Sequence, residues 1–269
     1  MTAPVITFLT DYGLHDDFVG ICHGVIAGIC PEARVIDITH GVARHDIQGG
    51  ALALRSALRY MPVGVHVAVV DPDVGAERRA VALALADGRI LVGPDNGLLS
   101  PAAEEAGGIS EAVDIARSPW RLEPMSATFH GRDIFVPVAA RLAAGGTLSE
   151  AGEPLDPDEL ITLELPHSRR EEDALVAHAI GVDRFGNVQL DAAHEDLIEL
   201  ELGMGAALLI GSPGGRHPAH YVRTFADVGR GELLLYEDAE RTLALAVSHG
   251  SAAELLGLSV GAELRITLA

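Results

Sequence analysis

Five short polar stretches in this 269-residue chain carry side chains able to do chemistry, and they fall where apolar runs end or turn. Thr10-Asp11-Tyr12-Gly13-Leu14-His15-Asp16-Asp17 follows the run Val5–Leu9. A carboxylate at such an edge can take the 2′- and 3′-hydroxyls of a ribose as a bidentate acceptor, while Asp16 or Asp17 can equally cap the helix that follows. Asp71-Pro72-Asp73-Val74-Gly75-Ala76-Glu77-Arg78-Arg79 leaves a second run through a rigid turn, with Asp71 at the tip and Arg78 arriving on the next segment. Opposite charges there can hold each other and a water; as a plain surface pair they would be worth only ~0–1 kcal/mol. Thr128-Phe129-His130-Gly131-Arg132-Asp133 opens a helix and lets His130 project from its N-terminal end, in a structural or an acid–base role. Pro94-Asp95-Asn96-Gly97 reads first as a turn and second as a binding loop, and Asp183-Arg184-Phe185-Gly186-Asn187 as a hairpin tip or a further polar set.

Composition removes other chemistries. All 19 basic residues are arginine, so a Walker lysine, a pyridoxal Schiff base and a Ser-Lys dyad are excluded. Against 39 acidic residues they leave a net charge of −20 with no basic stripe, which disfavours nucleic acid as a partner and suits a ligand carrying positive charge. Cys22 and Cys30 lack Cys-x-x-Cys spacing and read as small buried hydrophobes of a reducing compartment, with no metal site implied. The first residues lack a basic leader and no apolar stretch approaches ~18 residues, so the expectation is a soluble cytoplasmic protein without a membrane partner.

The elements that must position these residues follow from periodicity. Up to about Leu142, short β-branched runs alternate with amphipathic segments, the pattern of an α/β domain around a mostly parallel sheet. Strands are expected at Val5–Leu9, Arg34–Ile38 and Val65–Val70, and a hairpin at Ala80–Leu85 and Ile90–Val92 turning at Asp87-Gly88. Helices are expected from Asp17 to a stop at Pro31, from an Asp46 cap to Tyr60, and from Gly131 to Gly145-Gly146. The aperiodic polar stretch 166–173 reads as a linker between a domain at 1–165 and a smaller β-rich one at 174–269. Strand-like runs at Leu175–Val182, Asn187–Leu190, Ala206–Ile210, Leu233–Tyr236 and Leu243–Val247, with a helical piece at Ala252–Leu256, fit a small antiparallel barrel or sandwich.

Taken together and in this order, Thr10–Gly13, Asp71-Pro72 through Arg78-Arg79, Gly93-Pro94-Asp95-Asn96-Gly97-Leu98-Leu99, Thr128–Asp133 and Asp183–Asn187 closely resemble the S-adenosyl-L-methionine (SAM) hydroxide adenosyltransferases, the SAM-hydrolase relatives of the bacterial fluorinase and chlorinase. The resemblance implies water attack on C5′ of SAM, giving adenosine and L-methionine without a cofactor. It maps a water-activating set onto Asp71, Arg78 and His130. It further implies substrate contacts by Asp11, Asp16, Asn96, Phe129, Asp183, Asn187 and Arg241, and a homotrimer with sites between subunits. Three departures stand out: Asp73 replaces a common glycine, His130 replaces the tyrosine of the halogenating enzymes, and Gly131 replaces the fluorinase serine. The competing expectations are a chloride adenosyltransferase, a metal-dependent nucleoside N-glycosidase suggested by Asp11 with Asp16-Asp17, and a protein that binds SAM or adenosine without turnover.

Overall fold

Nearly every residue of Val5-Ile6-Thr7-Phe8-Leu9-Thr10 is apolar or β-branched, the composition of a strand buried on both faces. In the computed structural model, which describes residues 3–198 and 202–269, this segment is β1 (Val5–Thr10). The first unit continues with α1 (Phe18–Ile29), β2 (Arg34–Thr39), α2 (Ile47–Leu58), β3 (Val65–Val69), β4 (Ala80–Leu85), β5 (Ile90–Pro94), α3 (Ser100–Glu105), β6 (Ile109–Asp114), α4 (Val136–Ala143), α5 (Leu148–Ala151) and β7 (Glu153–Leu155). They build one seven-stranded sheet in the order β2-β1-β3-β5-β4-β6-β7. The four strands β2, β1, β3 and β5 run parallel, and the β4–β5 hairpin turns the far side antiparallel.

Alternation along the central strands sends side chains to two layers. Ile6, Phe8, Val65, Val67 and Val69 pack with Cys22 and Ile26 of α1 and Val136 and Ala139 of α4. Leu9, Ala68 and Val70 face Ala51, Leu54 and Leu58 of α2 and Ala102 of α3. The α/β reading therefore holds, and α3, β6, α5 and β7 join the elements read from the sequence. Of the two expected helix caps only one works as drawn. Asp46 accepts from the Gly49 N–H at 2.8 Å, whereas Asp17 occupies the N-cap position of α1 without a side-chain capping bond. Cys22 and Cys30 are both buried free thiols, and burial pushes Cys22 up to about 12, so it is no thiolate ligand at neutral pH.

The chain divides between Leu163 and Glu164, beside the polar stretch 166–173 that was expected as a linker and that contains a strand. Arg169–Glu171 is a strand, β8, paired antiparallel with β9 (Ala174–Val182). Its charged side chains mislead because they are satisfied across the sheet surface: Arg169 donates to Glu263 and Arg265 to Glu171. Beyond β9 come β10 (Val188–Ala193), α6 (His194–Ile198), β11 (Ala207–Ser212), β12 (Gly215–Tyr221), β13 (Leu233–Glu237), β14 (Thr242–Val247), α7 (Ala252–Leu256) and β15 (Glu263–Leu268). The order β10-β14-β13-β12-β11-β15-β9, closed by β9 against β10, makes a seven-stranded barrel with β8 added outside. Its pairings are antiparallel except β12 with β13. No helix among the described residues is long and apolar enough to cross a membrane.

Candidate active site

Thr10, the last residue of β1, is the register partner of Val69, the last residue of β3. Two neighbouring parallel strands thus end at one level, and Asp11 and Asp71 leave the sheet side by side at its carboxyl edge, where open α/β sheets bind ligands. The turn after Asp71 must bring the chain back to the same edge to start β4. Asp71 O accepts from Val74 N–H at 3.3 Å, and Gly75 takes the left-handed conformation with φ +87°. A Cβ at Gly75 would stand 2.7 Å from Ala127 O. Asp73 is not among the residues of positive φ, so its replacement of glycine costs the turn nothing in backbone strain.

The returning chain delivers Arg78 onto Asp71. Arg78 Nε donates to Asp71 Oδ1 at 2.9 Å and to Oδ2 at 3.1 Å, and its Nη2 donates to Oδ2 as well. The Arg78 and Asp71 side chains are 9% and 6% exposed, so this is not the surface pair that the turn alone allowed. The same Nη2 reaches His130 Nδ1 at 2.9 Å, and the guanidinium lies over the Phe135 ring at 5.2 Å. A guanidinium only donates, so His130 Nδ1 accepts and the neutral ring carries its proton on Nε2. Burial first, and then the Arg78 charge, hold His130 below the usual histidine range.

His130 is set by a local device: Gly131–Phe135 is a single π-helical turn feeding α4, a feature common at functional sites. Gly131 is required there, because a Cβ would overlap the Tyr12 hydroxyl. Behind the turn, buried Asp133 accepts from Ser126 N–H at 2.7 Å and from Arg132 Nε at 2.6 Å, fixing the loop in front of His130. Burial, and then nearby Cys22, Asp11 and Asp71, raise Tyr12 well above the usual tyrosine range, so its hydroxyl stays protonated.

These residues enclose a cavity of about 470 Å³, large enough for a nucleoside-sized ligand. Asp11, Asp71 and His130 line it with Tyr12, Phe18 and Phe129. The three rings meet edge to face, Phe18 and Phe129 at 5.2 Å and Tyr12 and Phe129 at 5.9 Å. This aromatic wall is what sequence reasoning missed: only Phe129 was expected in it, and Tyr12 and Phe18 are distant from Phe129 in the chain. Asp11 Oδ2 accepts from His45 N–H at 3.0 Å, leaving Oδ1 for a ligand. Arg78 is not in the wall; it touches Asp71 and His130 from behind.

Two residues expected to contact substrate lie outside the cavity lining. Asp16 is exposed and does not line the cavity. Nor does it group with Asp11 and Asp17 as a metal-binding cluster, because the described residues contain one such group and it lies elsewhere; the glycosidase expectation loses its basis. Asn96 is spent on the fold: its Nδ2 donates to Val70 O at 2.9 Å and its Oδ1 accepts from Leu98 N–H at 3.2 Å, clamping the strand end that carries Asp71. In the second unit, Asp183 folds its own loop. Its carboxylate accepts from Phe185 N–H at 2.8 Å, Asn187 N–H at 3.0 Å and Asn187 Nδ2 at 2.8 Å. Arg241 is exposed with φ 63°, in a turn where Asp238 accepts from Glu240 N–H at 2.8 Å and Thr242 N–H at 3.1 Å.

The chain is similar to known proteins along both of its units. Family models described as the SAM hydroxide adenosyltransferase N-terminal and C-terminal domains match residues 6–152 and 177–265. A curated protein of Salinispora tropica named (R)-S-adenosyl-L-methionine hydrolase is 49% identical over 264 residues, 98% of each chain. A fluorinase of Nocardia brasiliensis is 30% identical over 291 residues, 98% of this chain and 96% of its own. The crystal structure of an uncharacterized conserved protein from Thermotoga maritima superposes with a TM-score of 0.90 at 34% identity, covering 97% of this chain and 99% of that one. With both domain models matched in order and relatives aligned end to end, the chain belongs to the SAM hydroxide adenosyltransferase family.

Proposed function

We propose that this protein hydrolyses S-adenosyl-L-methionine to adenosine and L-methionine, and that water attacks C5′ from a position between Asp71 and His130. The observation that carries the reading is the buried Asp71–Arg78–His130 chain at the cavity edge. Its hydrogen bonds also divide the labour. His130 Nδ1 accepts from Arg78, so Nε2–H can donate to the water oxygen but cannot take its proton. Asp71, with lone pairs beyond those used by Arg78, is the remaining acceptor. As the water oxygen bonds to C5′, the C5′–S bond breaks, its electron pair goes to sulfur, and the proton passes to Asp71 and then to solvent. The leaving group is a neutral thioether, so no general acid is needed. Arg78 is a positioning residue that fixes both partners.

Asp11 holds the ribose hydroxyls with its free oxygen, and Tyr12, Phe18 and Phe129 supply the apolar wall. Asp71 and Asp11 favour a sulfonium, whose charge disappears in the reaction, and they disfavour an attacking chloride. No metal or cofactor takes part in the step. The (R) configuration at sulfur in the relative's name is extended to this substrate. Following the family, we further propose a cytoplasmic homotrimer in which Asp183, Asn187 and Arg241 of a neighbouring subunit complete the nucleoside and methionine ends. The buried thiols of Cys22 and Cys30 fit a reducing compartment. Incubation of purified protein with each sulfonium epimer tests the reading. Adenosine and methionine in equal amounts from the R epimer support it; free adenine, or substrate that binds and survives, overturns it.

A further inference from the structure

Away from the cavity, α1 and the edge strand β2 bring three metal-ligating side chains together. Asp37 Oδ1 lies 2.9 Å from His23 Nε2 and 3.1 Å from His40 Nε2, and the three ligand atoms lie within 4.8 Å of one another. Two ligands ~2.1 Å from a shared ion stand ~3.0 Å apart at a right-angled corner and ~3.4 Å apart at a tetrahedral one. The observed separations match the first, and His23 Nε2–H donates a hydrogen bond to Asp37 Oδ1 that a bound ion would replace.

His40 supplies an independent observation. Its side chain is 2% exposed, and its buried Nε2 makes no hydrogen bond although Asp37 Oδ1 is 3.1 Å away. A hydrogen bond requires the acceptor along the ring N–H axis. A neighbouring ligand of a shared ion stands ~45° off that axis for right-angled corners, with the ion on it. The other ring nitrogen, Nδ1, is 2.9 Å from Thr10 Oγ1, the partner that fixes the tautomer of a metal-ligating histidine. His23 and Asp37, at 37% and 40% side-chain exposure, leave an entry path.

We propose that His23, Asp37 and His40 bind one divalent transition-metal ion per chain, with two imidazoles and one carboxylate as ligands and the remaining positions taken by water. Such a donor set selects a borderline ion of the zinc or iron(II) class over calcium or magnesium. The ion would tie α1 to β2 and brace the loop bearing Asp11, because His40 O accepts from Gly13 N–H at 2.7 Å. Its role is structural, and it stands whether or not the proposed reaction does.

The test uses full-length protein stripped with chelator and titrated with Zn²⁺ and Co²⁺, read by calorimetry, by visible cobalt absorption and by thermal melting. One ion per chain, a rise in Tm of several degrees, and affinity lowered at least tenfold in both His23→Ala and Asp37→Asn are expected. These exposed positions leave the fold intact, and His220→Ala, an exposed histidine elsewhere, serves as the control and should leave affinity unchanged. Absence of stoichiometric binding, or equal affinity in the two site variants, overturns the proposal.

Discussion

Replacing Asp71 by asparagine removes the proton acceptor and one charge at nearly constant shape. The amide oxygen can still take one Arg78 N–H, but the amide NH₂ faces a guanidinium that also only donates. A side chain that is 9% exposed then keeps its positive charge with half its partner lost. Removing one partner of a buried pair costs ~3–5 kcal/mol; with one bond retained, the lower end applies, or about 3 kcal/mol. For a chain of this size that corresponds to a fall in Tm of roughly 6–12 °C, within a total stability of ~5–15 kcal/mol, so Asp71→Asn still folds. Loss of the base lowers kcat by ~10²–10⁴, or ~2.7–5.4 kcal/mol in the barrier, and KM rises because the sulfonium loses one of its two nearby carboxylates. Hydroxide from solvent can replace the missing acceptor. The variant's kcat should therefore rise about tenfold per pH unit between pH 7 and 9 where the wild type is flat. Adenosine release followed by chromatography across pH, beside a thermal melt, checks both numbers. A folded Asp71→Asn protein with kcat within threefold of wild type, or with the same pH profile, would refute the assignment of the proton to Asp71.

Other consequences follow from the same geometry. Because burial and Arg78 hold His130 low, kcat should stay flat as pH falls from 8 to 6.5 and drop only below; an inflection above 6.5 contradicts a neutral, Nε2-protonated ring. Asp11→Ala loses a contact made in ground and transition states alike, so KM should rise by roughly tenfold or more with a smaller change in kcat, and an unchanged KM removes Asp11 from ribose binding. Gly131→Ala sets a methyl into the Tyr12 hydroxyl, which should cost ~1–3 kcal/mol by denaturant titration and reduce activity as the Tyr12 ring is displaced; wild-type stability and rate would show that Tyr12 swings freely. Burial pulls His66 down to about 4, from an ordinary 6.5. The unfolded chain thus binds more protons between those values, and the contribution of His66 is full above pH 6.5 and lost as pH falls toward 4. The loss is about 2 kcal/mol at pH 5. Denaturant titration at pH 7 and 5 should show that much less acid sensitivity in His66→Gln, and equal sensitivity would contradict the assignment.

How much of this was legible depended on whether the signal was local. The Asp46 cap and the Asp87-Gly88 hairpin need only a few neighbouring residues, and both could be read directly. β12, Gly-Arg-His-Pro-Ala-His-Tyr, could not: its proline and histidines look like a turn, and only Ala219 and Tyr221 point into the barrel. Arg169–Glu171 was hidden because ion pairs across the sheet, rather than apolar burial, satisfy it. In the site, Asp11 and Asp71 were visible as carboxylates after strands. That the strands are neighbours ending in register is a property of sheet order. The aromatic wall and the exclusion of Arg78 from it were invisible for the same reason, and Asn96 looked like a ligand because its bond to Val70 O spans 26 residues.

The central claim is that an oxygen from water, and no other nucleophile, ends on C5′. Purified protein incubated with SAM in H₂¹⁸O, with and without chloride and with and without EDTA, tests it by mass spectrometry of the products. The account predicts adenosine carrying one ¹⁸O at the 5′-position and unlabelled methionine, in amounts that neither chloride nor chelator changes. Unlabelled adenosine, 5′-chloro-5′-deoxyadenosine appearing with chloride, or intact SAM bound to the protein would contradict it.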